Sequence, residues 1–121
     1  MRGQDERGAV TAEAALVLPL LVALTAALCW LLAVGAAQVR TVDAAREAAR
    51  LVARGEDQGT AVALAQRIAP DGAAVSISLG DAEVVVRVTA RVDGPGGLLG
   101  GLPGAQVDAT AVAAPEPGAV P

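Results

Sequence analysis

The feature that most restricts what this chain can become is an uncharged apolar run near its start. From Ala14 to Ala37 the sequence reads AALVLPLLVALTAALCWLLAVGAA, 24 residues without Asp, Glu, Lys or Arg. As a helix it rises about 36 Å, and the hydrocarbon core of a bilayer is about 30 Å thick. A soluble protein can bury such a helix only by surrounding it on every side. The 121 residues include a single aromatic side chain, Trp30, whereas aromatics bury roughly 150–250 Å² each. The remainder is too small and too light in side-chain volume to enclose the run, so a membrane-spanning helix is expected. A cleaved secretory signal is the rival reading, because Val34-Gly35-Ala36 resembles a small-residue cleavage site. The apolar part of such a signal runs to only about 7–15 residues, however. A lipoprotein signal fails sooner, since bulky Leu28 precedes Cys29.

Charge and chemistry narrow the functional classes. The net charge is −4 and every basic residue is Arg. Nucleic-acid binding depends on phosphate neutralisation by clustered cations, so an acidic chain without aromatic–basic clusters argues against it. There is no His, and Cys29 is the only thiol and lies in the apolar run. Zinc ligation and His- or Cys-based catalysis are excluded in practice. The acidic residues Asp71, Asp81, Glu83, Asp93 and Asp108 are scattered near expected turns and strands, and no EF-hand loop is present. The chain is therefore expected to be no enzyme, with no cofactor and no small-molecule substrate.

The stretch before the apolar run is the most informative. It reads Glu6-Arg7-Gly8-Ala9-Val10-Thr11-Ala12-Glu13. An acidic residue at the centre of a membrane helix costs about 2.5–3.5 kcal/mol on insertion scales. Glu13 therefore either faces headgroups at the interface or has a function. A charged leader ending in glycine, four small or neutral residues, a glutamate and then an apolar helix together resemble the class III signal of type IV pilins, which prepilin peptidase cuts after the glycine. The resemblance implies that Gly8 ends the leader, that Ala9 is the new N-terminus and that Glu13 is the fifth mature residue, where the family carries its glutamate. Such a cut frees a positive amine at Ala9, which Glu13 of a neighbouring subunit can neutralise. A paired charge is tolerable in a low dielectric where a lone one is not.

Within that superfamily the chain resembles the TadE-like minor pilins of tight-adherence (Flp-type) systems. Glu13–Pro19 (EAALVLP) and Ala44–Arg50 (AAREAAR) carry the likeness. One departure is Ala14, where the family often has Phe. Pro19 removes the hydrogen bond to the Ala15 carbonyl and favours a kink. Two readings of that kink stand, a passive bend or a loosening of the N-terminal part during extraction into an assembly.

Beyond the membrane, Val42, Ala45, Ala49 and Val52 recur at helical spacing, opposite Arg46, Arg50 and Arg54. The helix is expected to continue into this segment and stop near Gly55. A short second helix is expected over Thr60–Ala69, with Leu64, Ala65 and Ile68 inward and Pro70-Asp71-Gly72 ending it. Alternation follows at Val75, Ile77 and Leu79, then at Val84, Val86, Val88 and Val92, with Gly80-Asp81 as a two-residue hairpin turn. Val107–Val112 offers a third strand. The link Gly94–Gly104 (GPGGLLGGLPG) reads as flexible; its Leu98, Leu99 and Leu102 dock either on the sheet or on a partner.

The fold class expected is α+β: a long N-terminal transmembrane and stalk helix, a short second helix and a small three-stranded antiparallel sheet. Its organisation is a leader over 1–8, the membrane and stalk helix over 9–54, an extracytoplasmic domain over 55–112 and a disordered tail over 113–121. The resemblance implies a minor pilin-like structural component of a pilus assembly or secretion apparatus, with the membrane, prepilin peptidase and other pilin subunits as partners. The alternative is an uncleaved, membrane-tethered binding module. Arg2 and Arg7 precede the helix while Arg40, Arg46, Arg50 and Arg54 follow it, so a naive positive-inside count puts the C-terminal side in the cytoplasm. That rule is weak for segments longer than about 60 residues. The pilin resemblance instead implies a cytoplasmic N-terminus.

Overall fold

The computed structural model describes residues 2–97 and 99–117. One helix, α1 (Arg2–Ala53), dominates it; α2 (Gln58–Ile68), β1 (Ala74–Leu79), β2 (Val84–Val92) and β3 (Ala105–Ala113) follow. The α+β class and the three-stranded antiparallel sheet are as the sequence predicts. At 52 residues α1 is about 78 Å long. Its two halves meet different surroundings. The first, through the apolar run, stands clear of the rest of the chain; the second is wrapped by everything that follows.

The wrapped half is lined with alanine. Ala37, Thr41, Ala44, Ala45, Ala48, Ala49 and Val52 are buried, at the three- and four-residue spacing of one helix face. Against them lie Ala61, Ala65 and Ala69 from α2 and its end, and Val84, Val86 and Val88 from β2. Small side chains on both helices let their backbones approach closely, while the valines fill the space under the sheet. Burying each such valine contributes about 1.5–3 kcal/mol. Thr41 is fully buried, and its hydroxyl donates to the Ala37 carbonyl at 2.7 Å, which satisfies it within its own helix. The inward face is wider than the sequence pattern indicates: Ala44 and Ala48 join it, while Val42 is only half-buried.

The end of α1 is a Schellman motif. Gly55 takes φ +91°, its N–H donates to the Val52 carbonyl at 3.0 Å, and Glu56 N–H donates to the Leu51 carbonyl at 3.0 Å. The next helix starts two residues earlier than Thr60, because Asp57 is its N-cap and accepts from Thr60 N–H at 3.2 Å. Of the three side chains expected inward, Ala65 is fully buried; Leu64 and Ile68 are half-buried, and Ala61 takes the second enclosed position. The reason is the alanine face opposite, which has room for a methyl group and not for a leucine.

The sheet is a meander in the order β1-β2-β3, antiparallel throughout. Its register places Ile77, Val86 and Ala111 abreast, and likewise Val75, Val88 and Ala109, so one face is uniformly apolar. The opposite face carries Arg87 and Asp108, an exposed ion pair at 3.6 Å, of a kind worth about 0–1 kcal/mol. The first hairpin turns one residue later than expected. Gly80 N–H donates to the Glu83 carbonyl at 2.8 Å, leaving Asp81 and Ala82 at the tip. Sliding the tip by one residue moves the pairing by two, which keeps the same side chains inward. Alternation therefore constrains the face and not the position of the turn.

The Gly-rich link is ordered rather than flexible. Gly96 and Gly97 have φ of +69° and +57°, and Leu99 N–H donates to the Gly96 carbonyl at 3.0 Å. Leu98 lies outside the described residues, Leu99 is half-buried and Leu102 is exposed. Glu116 N–H donates to the Ala53 carbonyl at 2.9 Å; of the tail expected to be disordered, residues 118–121 lie outside the described residues.

The alanine seam gives a direct test. Ala48→Leu is expected to lower the stability of the full chain in detergent by about 1–3 kcal/mol, through overpacking. Arg46→Leu, on the exposed face of the same turn, should change it by no more than about 0.5 kcal/mol. Thermal unfolding followed by circular dichroism measures both, and equal melting of Ala48→Leu and parent would show that the seam is open.

Candidate processing and assembly site

Gly8, Ala9, Glu13 and Pro19 all lie on the unwrapped half of α1, and all are exposed. The Gly8–Ala9 peptide bond is inside the helix rather than in a loop. A side chain built at Gly8 would meet nothing within 4 Å. Glycine inside a helix is about 1 kcal/mol less favourable than alanine, and here no close approach within the chain accounts for it. Ala9 and Glu13 are four residues apart, hence one above the other on the same face. Among the described residues Glu13 takes part in no ion pair or hydrogen bond.

The helix runs unbroken through Pro19, which removes the N–H that would otherwise bond to the Ala15 carbonyl. Further along, the one hydroxyl of the apolar run is satisfied internally, Thr25 donating to the Leu21 carbonyl at 2.9 Å. This half leaves large apolar side chains uncovered: Leu16 is 76% exposed, Leu20 68% and Leu32 74%. Its most apolar window has no residue buried inside the molecule. A surface of this size is far beyond the few hundred Å² of contiguous apolar patch that a soluble monomer tolerates. The helix is long and apolar enough to cross a membrane.

Three polar contacts fasten the wrapped domain to the helix, and sequence reasoning does not find them. Trp30 Nε1 donates to the Asp93 carbonyl at 2.7 Å. Gln38 Nε2 donates to the Asp108 carbonyl at 3.0 Å. Arg40 donates through Nε to the Ile68 carbonyl and through Nη2 to the Ala69 carbonyl, each at 3.1 Å, so it closes the C-terminal end of α2. Arg40 thus has a structural partner, which weakens its use as a topological charge signal. Partners 28 to 70 residues away leave no mark in local periodicity.

Elsewhere the surface is shallow. The roomiest concavity, about 690 Å³, opens at the far end of the domain and is lined by Val52, Glu56, Asp57, Leu79, Asp81 and Val84 among others. Its lining offers carboxylates and apolar surface but no hydroxyl, thiol or amine nucleophile.

Residues 8–50 match the TadE-like protein family. Over this helix the chain is a TadE-like protein. The match opens at Gly8 and closes at Arg50, so it takes in the unwrapped half of α1 and nearly all of the alanine face. A protein of Mycobacterium tuberculosis named "Apoptosis inhibitor Rv3655c" is 43% identical over 81 residues, 67% of this chain and 58% of that protein. The chain thus spans less than two thirds of that relative's length. The aligned region is longer than α1, so the likeness extends past the TadE-like helix into the wrapping domain. No solved structure matches.

The empty surroundings of Gly8 generate a prediction. Gly8→Ala should leave the thermal unfolding of the wrapped domain unchanged to within about 0.5 kcal/mol, measured by circular dichroism on the full chain. A clear loss would reveal a packing role for this glycine.

Proposed function

We propose that this TadE-like chain is a minor pilin-like structural subunit of a pilus assembly or secretion apparatus, anchored by α1 and trimmed by a prepilin peptidase after Gly8. The observation that carries the reading is the division of one continuous helix. Half of it is enclosed by its own domain, and the other half is wholly apolar and unenclosed. That shape suits a subunit held first by lipid and later by the helices of its neighbours. The family match over residues 8–50 supports the pilus association, and it covers the helix rather than the domain.

The chemistry of trimming fits the residues at the site. A peptidase must unwind the helix around the Gly8–Ala9 bond, and glycine is the residue that resists unwinding least. Hydrolysis leaves a protonated amine on Ala9 at the head of an apolar helix, with the partial positive charge of the helix terminus added to it. Glu13 of an adjoining subunit is the carboxylate that neutralises this charge once water is excluded. With Gly8 removed to the leader, the mature helix begins AVTAE. The N-terminus faces the cytoplasm in this scheme, and the wrapped domain lies on the other side.

N-terminal sequencing of the protein recovered from its native membrane tests the reading, with a start at Ala9 expected. An intact N-terminus would instead favour a membrane-tethered binding module, and a start near Ala37 would mean that the apolar run is a removed signal. Exchanging Gly8 for a large residue should abolish trimming. Glu13→Ala should be trimmed normally yet enter the assembly severalfold less well, measured by its share in sheared or crosslinked assemblies. Equal incorporation of parent and Glu13→Ala would remove the role given to that carboxylate.

A further inference from the structure

We propose that the loop Gly94–Gly104 rests in the surface of the bilayer on the domain's side, with Leu102 turned into lipid. The inference depends on the reading that α1 spans a membrane, and its first support is the direction of β2. Val84 packs with Val52 at the top of α1, whereas Val92 packs with Val34 and Ala37 lower down. Eight strand residues advance about 26 Å and the eighteen helix residues from Val34 to Val52 about 27 Å. The strand therefore descends along the helix nearly in parallel with its axis, and the loop that follows it lies at the end of the domain nearest the apolar half.

A hydrogen bond sets its height. Trp30 Nε1 donates to the Asp93 carbonyl at 2.7 Å, which holds the first turn of the loop at the level of residue 30. Trp30 is seven residues inside the uncharged run, so this level is about 10 Å below Ala37. With Glu13 at one boundary, about 20 residues of helix cross the hydrocarbon, and the other boundary falls close to Ala33. The loop base thus meets the zone between headgroups and acyl chains, where tryptophan is enriched in membrane proteins.

The loop is built for that zone. Its eleven residues include no charge, and its nearest charged neighbours, Asp93 and Arg91, are exposed at its upper side where headgroups begin. Leu102 is 48% exposed, with nothing of this chain over it. Backbone polar groups are costly in lipid unless paired, and several here are: Leu99, Gly100 and Leu102 N–H donate to the Gly96, Gly97 and Leu99 carbonyls at 3.0–3.1 Å. The loop is also shut at its base. A Cβ at Gly94 would stand 2.5 Å from the Leu102 carbonyl oxygen, and one at Gly104 would stand 2.6 Å from the Val92 carbonyl oxygen. It is a closed apolar knob continuous with the apolar surface of the helix.

The test uses the full chain in vesicles of phosphatidylcholine and phosphatidylglycerol. In a Cys29→Ser background, an environment-sensitive fluorophore is attached in turn at Leu102→Cys, Leu24→Cys and Thr110→Cys. Gly101→Cys serves as a second loop position, since its surroundings are open. Quenching by lipids spin-labelled near the headgroup is compared with quenching by aqueous iodide. Both loop probes should be quenched by the lipid label severalfold more than the Thr110 probe, and should be protected from iodide. Iodide reaching the loop as freely as Thr110, while Leu24 stays protected, overturns the proposal and leaves the spanning helix intact. Iodide reaching Leu24 overturns the spanning helix, and the proposal falls with it. Loop probes shielded from iodide yet untouched by the lipid label would mean that protein covers the loop, which also overturns it.

Discussion

Everything else in this structure depends on how closely other elements can approach the second half of α1. That half presents methyl groups, Ala44, Ala45, Ala48 and Ala49, where most helices of a soluble core present leucine or phenylalanine. Close approach replaces bulk. Alanine meets alanine between α1 and α2, and the valines of β2 supply the volume that the helix withholds. A chain with one aromatic residue can thereby close a core, because contact density compensates for side-chain size. Dense packing of this sort tolerates little change in volume on either surface.

The same helix has no such partner in its first half, and the two halves differ in kind more than in sequence composition. Both are rich in alanine and leucine or valine. What separates them is the entry of charge at a regular spacing, Arg40, Asp43, Arg46, Glu47 and Arg50. These residues give the second half an outside. Without an outside, the first half has no preferred direction to bury, and an all-round apolar helix is what a bilayer or a bundle accepts.

Much of this was legible from residues alone. The apolar run, the alternation in β1 and β2 and the stop at Gly55 are local patterns, and local patterns specify local structure. The position of the hairpin tip was not legible, since sliding it by one residue preserves the inward face. The order within Gly94–Gly104 was also hidden, because glycine usually signals freedom, whereas here Gly94 and Gly104 permit backbone to touch backbone. Of the site residues, Gly8, Ala9, Glu13 and Pro19 were found by their spacing from the apolar run. The anchors Trp30, Gln38 and Arg40 were not, because each acts on a carbonyl whose position is known only once the sheet and α2 have folded back.

The contact between Glu116 and Ala53 carries a further meaning. The last described stretch of the chain closes onto the end of the first helix, and β3, which precedes it, packs along that helix. Contacts between such distant segments form late, after the loop entropy between them has been overcome. During synthesis α1 leaves the ribosome first and is ready for insertion while the strands that will cover its upper half have yet to be made. Its alanine face must wait uncovered. A face of methyl groups exposes far less sticky surface in that interval than one of leucines, so the residue that permits close packing in the finished protein also makes the unfinished one safer to leave open.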